Sequence, residues 1–167
     1  MTPASHRSTP LYAALMAHPA VVASIGLLLL NDHVLKVHWS GLLTGKLSDA
    51  AGLTFFPVLL LAFAAVAFPW PLGLRALLGC TIVTAIAFAW VKIDPAGTAF
   101  YRHGLAVVQW PWWAAMRLAH GHGVPGLRPV VAVTDPSDAL MLPFAGVSPF
   151  LAVRCGKWAA RAHTVRG

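Results

Sequence analysis

The chain contains no glutamate, and its only acidic residues are five aspartates in 167 residues. Charged residues make up 10% of the sequence, whereas soluble domains contain about a quarter. With 58% hydrophobic residues and a mean hydropathy of +0.71, this shortage of charge excludes an ordinary water-soluble domain. The composition predicts an integral membrane protein.

Cysteine is scarce, and the excess of basic residues is dispersed. Cys80 lies inside an apolar run and Cys155 lies beside the basic tail, without the spacing of a metal site, so both are expected to be packing residues. The formal charge of +7 comes from lysines and arginines that stand singly between apolar runs or in the tail. Such residues can meet lipid phosphates, and we expect membrane lipids as partners and no nucleic acid.

Common catalytic and nucleotide-binding motifs are also missing. Residues 41–48, GLLTGKLS, are close to a phosphate loop, but Leu47 follows Lys46 where the motif requires a metal-binding Ser or Thr. HExxH and GxSxG do not occur in the chain. Histidines could supply metal ligands beside the aspartates, although they lack ligand spacing: His33, His38, His103, His120 and His122. We therefore expect no cofactor and no metal site.

Four apolar runs are predicted to cross a membrane as helices, at about 19–37, 51–68, 74–91 and 137–153. The polar stretch from Trp39 to Asp49 is expected to be a loop or a short broken helix because it contains two glycines. The predicted fold class is an all-α integral membrane bundle of four transmembrane helices plus one interfacial amphipathic helix. The bundle is expected to form a single domain over residues 1–167.

The stretch from Asp94 to Gly123 decides the number of crossings. Its uncharged run between Arg102 and Arg117 is shorter than a bilayer is thick, and it holds three tryptophans, which gather at headgroup level. We therefore predict that a helix at about 98–119 lies on the membrane.

The basic tail, residues 154–167, favours a cytoplasmic C-terminus. Four spans with both termini in the cytoplasm satisfy this preference, whereas a fifth span at Gly104 to Met116 would put the tail outside. The predicted location is a bacterial inner membrane.

Four spans would bring all five aspartates to one membrane face. Ionisable groups at membrane depth are costly, so such a cluster is a candidate functional site. The predicted cluster consists of Asn31, Asp32, Lys36, Lys46, Asp49, Lys92, Asp135 and Asp138. Asp32 and Lys36 stand four residues apart and can pair on a helix. Asn31 and Asp32 follow four leucines in mid-helix, where capping does not explain them.

Helix capping is the simpler explanation for other acids. Asp94-Pro95 and Asp135-Pro136-Ser137-Asp138 have the sequence of helix starts, in which an aspartate accepts backbone N–H bonds and proline takes the first helical position. Ser48 and Asp49 could likewise cap the second span.

Two function classes follow from the cluster. The preferred hypothesis is a non-enzymatic membrane module in which the cluster organises the bundle and binds anionic lipid headgroups, a protein partner or a second copy. The alternative is a membrane-embedded enzyme acting on a lipid-linked substrate, with Asp32 or Asp49 as general acid or base. The alternative requires a cavity lined by one of these two aspartates. A proton or ion path is disfavoured because no acid lies between Gly52 and Val91.

Three segments carry a resemblance: NDHVLK at residues 31–36, LTGKLSDAAGL at 43–53 and DPSD at 135–138. Together they resemble small polytopic bacterial membrane proteins, and the resemblance extends from the first predicted span to the last. It implies a multi-pass membrane fold and no activity. A weaker similarity, to VanZ-like small membrane proteins, rests on the acidic DPxD motif, but their arginine and glutamate pattern is missing here.

Overall fold

The computed structural model describes residues 10–35, 38, 41–68, 72–132 and 134–164, with side chains except at Asp32 and residues 156–164. In chain order the elements are α1 (Leu11–Met16), α2 (Pro19–Leu30), a π-helical turn (Asn31–Leu35), α3 (Leu42–Ala67), α4 (Leu74–Ile93), α5 (Pro95–Ala119), a 3₁₀ helix (Pro136–Gly146) and α6 (Val147–Thr164). No β-strand occurs in these ranges, which confirms the all-α class.

Among the described residues, three helical segments are long and apolar enough to cross a membrane: Leu42–Ala67, Leu74–Ile93 and Pro136–Cys155. The first predicted span corresponds to a shorter apolar helix, Pro19–Leu35. The predicted interfacial segment is helical from Pro95 onwards and does not belong to the three long apolar segments. The number of crossings therefore stays a prediction.

Local sequence signals explain where several helices begin. His18 Nδ1 accepts the backbone N–H of Ala20 at 3.2 Å, and Pro19 occupies the first position of α2. Asp94 does the same for α5, since its Oδ1 accepts the N–H of Ala96 at 2.9 Å. Side-chain oxygens or nitrogens satisfy N–H groups that have no partner within the helix. The predicted capping role of Asp94 is confirmed.

The prediction of a loop or a short broken helix before the second span is wrong for residues 42–49, and so is the predicted capping of that span by Ser48 and Asp49. Helix α3 begins at Leu42 and includes Gly45, Lys46, Ser48 and Asp49, nine residues before the predicted start of the span at residue 51. The hydroxyl of Thr44 accepts the backbone N–H of Gly41 at 3.1 Å, which stabilises the first turn. A glycine inside a helix costs about 1 kcal/mol, and capping and packing outweigh that cost here. Two smaller differences are α1, which was not predicted, and α6, which extends into the predicted basic tail as far as Thr164.

The chain divides into two compact units. The first unit comprises the described parts of Met1–Ala85 and Leu140–Gly167. Its α3 contacts α1, α2, the π-helical turn and α6. The core of this unit is apolar and consists of Leu15, Val21, Val58, Leu61, Leu77 and Ala152. Cys80 packs against this core, as expected of a structural cysteine.

The second unit, Ile86–Ala139, contains the end of α4, all of α5 and the chain that follows. The two helices meet closely at Gly97, because a Cβ atom there would lie against the carbonyl oxygen of Trp90 and 2.7 Å from its carbonyl carbon. Thr98 reinforces the contact, since its hydroxyl donates to the carbonyl oxygen of Val91 at 2.6 Å. Only glycine allows this approach of the two backbones.

Much of the apolar surface of the long helices is exposed. In the segment Leu74–Ile93, only 11% of the most apolar 18-residue stretch is buried inside the protein. Exposed large apolar side chains include Phe63 and Val66 on α3, and Ile82, Val83 and Ile86 on α4. A water-soluble monomer rarely exposes apolar surface on this scale.

Candidate functional site

The second unit contains a buried ion pair from the predicted cluster. Lys92 Nζ lies 2.7 Å from Asp138 Oδ2, and the two residues are separated by 46 positions in the sequence. The side chains are 19% and 9% exposed, so both charges are largely withdrawn from solvent. A buried charge is tolerated when it is paired and hydrogen-bonded. The pair joins the last turn of α4 to the first turn of the 3₁₀ helix.

The neighbouring aspartates act within their own segments. Asp94 Oδ2 accepts the indole N–H of Trp90 at 3.0 Å in addition to capping α5. Asp135 Oδ1 accepts the backbone N–H of Ser137 at 2.9 Å, at the start of the 3₁₀ helix. The predicted capping role of Asp135 is therefore confirmed, whereas Asp138 takes part in a contact between two helices.

The described residues 122–132, 134 and 135 return along α5 without forming a helix and are here called the return strap. Near its end, the hydroxyls of Thr134 and Thr98 lie 3.0 Å apart. Further along, Arg102 and Val130 are joined twice: Arg102 Nε donates to the Val130 carbonyl at 3.0 Å, and the Val130 N–H donates to the Arg102 carbonyl. The sequence did not indicate this antiparallel pairing of helix and strap.

Two further bonds hold the start of the return strap. Trp110 Nε1 donates to the carbonyl oxygen of Pro125 at 2.8 Å, and Arg117 Nε donates to that of Gly123 at 3.1 Å. Between α5 and the strap lies a half-open cavity of about 460 Å³, here called the Trp–Arg groove. Its lining consists of Ala106, Gln109, Trp110, Trp113, Arg117, Pro125, Gly126, Arg128 and Val130. None of these nine residues is acidic.

Asn31 provides the main polar contact of the first unit. It is fully buried at the start of the π-helical turn, and its Nδ2 donates to the carbonyl of Thr44 at 2.6 Å and to the hydroxyl of Ser48 at 2.5 Å. Its Oδ1 is buried and has no hydrogen-bond partner among the residues that the structure describes. An unsatisfied buried acceptor costs about 1–3 kcal/mol. Asn31 thus fixes the π-helical turn to the first turns of α3.

A second polar contact of this unit was not predicted. Ser148 is fully buried, and its hydroxyl donates to the carbonyl oxygen of Thr54 at 2.5 Å. The hydroxyl of Thr54 donates to the carbonyl of Ala50 at 3.0 Å within α3 and lies 3.5 Å from the carbonyl of Phe144. These bonds join α3 to the helical segment around residues 144–148. Serine and threonine hydroxyls commonly bond to helix carbonyls, but the position of these two between helices gives no signal in the sequence.

The residues of the predicted cluster lie on several elements of the fold. Lys46 and Asp49 lie in the second and third turns of α3 and are half-buried. The proposed pair of Asp32 with Lys36 lies outside the described side chains. Lys92 and Asp138 are in direct contact, and Asn31 contacts α3. That all eight residues form one cluster stays a prediction.

Two of the histidines that could supply metal ligands bond to backbone carbonyls of α5. His103 Nδ1 and His120 Nδ1 each donate to a carbonyl of their own helix, at 2.8 Å to Ala99 and 2.7 Å to Met116. Within the described ranges, no three His, Cys, Asp or Glu side chains come together in a way that could hold a metal ion.

No protein-family model, curated protein sequence or solved structure matches the chain.

Proposed function

We propose that the chain is a multi-pass integral membrane protein of a bacterial inner membrane that acts as a non-enzymatic module. Polar contacts between helices organise the bundle, and one surface, formed by α5 and the return strap, meets lipid headgroups or a protein partner. In this proposal four helices cross the bilayer and both termini are cytoplasmic. The observation that carries it is the ion pair between Lys92 and Asp138.

The ion pair supports an even number of crossings. Lys92 lies in the last turn of the apolar segment Leu74–Ile93, and Asp138 lies in the first turn of the apolar segment Pro136–Cys155. If both segments cross the bilayer, two side chains in contact at 2.7 Å require these ends to lie at the same face. Residues 94–135 then start and finish on one side. That arrangement favours α5 as a surface helix.

The backbone of the return strap supports the same topology. Among the described residues 123–132, Val130 is the one whose backbone N–H bonds to another backbone group. A backbone N–H left without a partner costs several kcal/mol in hydrocarbon, so irregular chain is not tolerated facing lipid. We therefore place the strap, and with it α5, outside the hydrocarbon layer.

The length of α3 fits the proposed surface. With 26 residues the helix is about 39 Å long at about 1.5 Å per residue, whereas the hydrocarbon core is about 30 Å thick. Its surplus of about 9 Å, fewer than two turns, can be accommodated at the N-terminal end, which carries Lys46 in its second turn. That charge then reaches the headgroup layer.

The enzyme hypothesis has less support. It requires a cavity lined by Asp32 or Asp49, and the side chain of Asp32 is outside the described ones. The cavity described above, the Trp–Arg groove, is lined by other residues of the chain. A binding role is therefore the better supported one.

Cysteine labelling tests the topology. The two native cysteines, Cys80 and Cys155, are replaced by alanine, and single cysteines are introduced at Gly73, between α3 and α4, or at Val124 in the return strap. Both positions are exposed. Right-side-out and inverted bacterial membrane vesicles are treated with a membrane-impermeant maleimide. Val124→Cys is expected to react in right-side-out vesicles and Gly73→Cys in inverted ones.

Labelling of both positions from the same side would contradict the proposal, because it would require α5 to cross the bilayer. A cysteine-free variant provides the background, and reaction of every variant after detergent solubilisation verifies that each introduced thiol is present.

A further inference from the structure

We propose that the Trp–Arg groove is a binding site for the phosphodiester headgroup of an anionic phospholipid. The inference rests on the proposed placement of α5 at the membrane surface and identifies the ligand chemistry of that surface. It concerns residues of α5 and the return strap that the predicted aspartate–lysine cluster does not include.

The charge of this part of the chain favours an anion. Residues 95–134 contain Arg102, Arg117 and Arg128 and no acidic residue. Arg117 and Arg128 both line the groove. Within the described part of the chain neither guanidinium forms an ion pair, whereas Lys92 in the same unit is neutralised by Asp138. Arginine is suited to phosphate because its planar fork can donate two parallel hydrogen bonds.

The donors of the groove are partly preorganised. The bond from Arg117 Nε to the Gly123 carbonyl fixes the guanidinium at one side of the groove and leaves its terminal N–H groups for a ligand. The bond from Trp110 to Pro125 holds the return strap across the helix. Ordering these groups before binding lowers the entropy cost of binding.

Size and polarity point to a lipid headgroup. The cavity volume of about 460 Å³ lies in the range of small-molecule sites, about 300–1,000 Å³. Trp110 and Trp113 provide apolar ring surface beside the arginines, and Trp113 is 57% exposed. Tryptophan is enriched where headgroups meet acyl chains. A phosphate with its glycerol fits this combination of cationic and aromatic side chains, with the acyl chains outside the groove.

A binding titration tests the proposal. The full chain is purified in a non-ionic maltoside detergent, and its tryptophan fluorescence is followed during titration with short-chain phosphatidylglycerol. Short-chain phosphatidylcholine and inorganic phosphate are titrated in parallel. Saturable binding of phosphatidylglycerol is expected, and Arg128→Gln should weaken it about tenfold or more, since a hydrogen bond to a charged group contributes about 1.5–3 kcal/mol.

Matched variants keep the test independent of folding. Arg117→Gln should weaken binding as well, but it also removes the bond to Gly123. Within the described part of the chain Arg128 forms no hydrogen bond or ion pair. Arg128→Gln therefore carries the test even if Arg117→Gln misfolds. Arg75→Gln, at the exposed start of α4, is the control and should bind like the wild type.

Three results would overturn the proposal: equal binding of phosphatidylcholine and phosphatidylglycerol, binding of inorganic phosphate as tight as that of the lipid, or unchanged binding by Arg128→Gln. The titration is done in micelles, so it does not depend on the topology. Opposite-side labelling of Gly73→Cys and Val124→Cys together with absent lipid binding would reject the groove and leave the proposed membrane topology intact.

Discussion

Within each of the two units a different kind of polar contact is prominent. In the first unit two fully buried side chains form neutral hydrogen bonds, Asn31 with Thr44 and Ser48, and Ser148 with Thr54. The second unit contains bonds of charged side chains, namely the pair of Lys92 with Asp138 and the bonds of arginines to carbonyls of the return strap. Apolar side chains form the core of the first unit, whereas most of α5 and the strap is exposed.

The difference follows from the cost of placing each group. A neutral hydrogen bond inside an apolar bundle satisfies both partners without desolvating a charge, whereas an isolated charge there is far more costly. Near water, a charged group loses less hydration when it forms a hydrogen bond, and such a bond is stronger than a neutral one. The first unit is therefore stabilised mainly by its apolar surroundings, whereas the second unit depends on individual charged side chains.

Breaking the ion pair should have the largest effect. Asp138→Ala leaves Lys92 partly buried without this partner, and we expect a loss of about 3 kcal/mol in the free energy of unfolding of the second unit. Unfolding is measured in maltoside micelles by tryptophan fluorescence, which reports on this unit because four of the seven tryptophans lie in it.

Two variants complete this prediction. Asp135→Ala removes one capping bond only and should cost about 1 kcal/mol. The double variant Lys92→Met with Asp138→Leu should regain most of the stability, because an apolar pair avoids the buried charge. If Asp138→Ala is no more destabilising than Asp135→Ala, the second unit does not depend on its ion pair and the comparison fails.

A glycine substitution tests the contact between α4 and α5 within the second unit. Gly97→Ala places a Cβ atom against the carbonyl of Trp90, and such overpacking should destabilise by about 1–3 kcal/mol. Gly104→Ala is a matched control on the same helix, since nothing lies within 4 Å of its added Cβ. The control should stabilise by about 0.5–1 kcal/mol because alanine favours helix over glycine. Thermal unfolding that shifts in the same direction for both variants would exclude a close contact at Gly97.

The smallest effect is expected for a neutral contact of the first unit. Asn31→Leu removes two hydrogen bonds but also the buried oxygen that has no partner, so the net change should be below about 1 kcal/mol. Ser48→Ala should cost about 1 kcal/mol or more, because it takes away an acceptor while the buried amide of Asn31 remains. A loss at Asn31→Leu as large as that of Asp138→Ala, measured by the same unfolding assay, would show that neutral contacts weigh as much as charged ones.

Apolar runs and helix caps were the predictable part of the fold. The spans at residues 74–91 and 137–153 correspond to apolar helical segments, and Asp94 caps α5 because an aspartate followed by proline specifies a helix start. The start of α3 was not predictable from composition. Gly41 and Gly45 indicate a loop, and only the bonds of Thr44 to Gly41 and of Asn31 to the Thr44 carbonyl reveal the extra turns.

Partner choice at the candidate site could be predicted only in part. Lys92 and Asp138 were both included in the predicted cluster, but a separation of 46 residues carries no signal of direct pairing. The attachment of the return strap to Arg102, Trp110 and Arg117 depends on carbonyl oxygens, which every residue possesses. The Trp–Arg groove is a product of that attachment, so its shape has no counterpart in the sequence pattern.

The exposed loop at residues 120–122 has a practical consequence. Exposed loop tips tolerate insertions and are preferred sites of protease cleavage. An epitope or a small reporter domain inserted between Gly121 and His122, ahead of the carbonyls of Gly123 and Pro125 that bond to α5, would leave the helices on either side unchanged. The protein could in this way be tagged in mid-chain, or produced as two co-expressed fragments that reassemble through the contacts at Thr98 and Lys92.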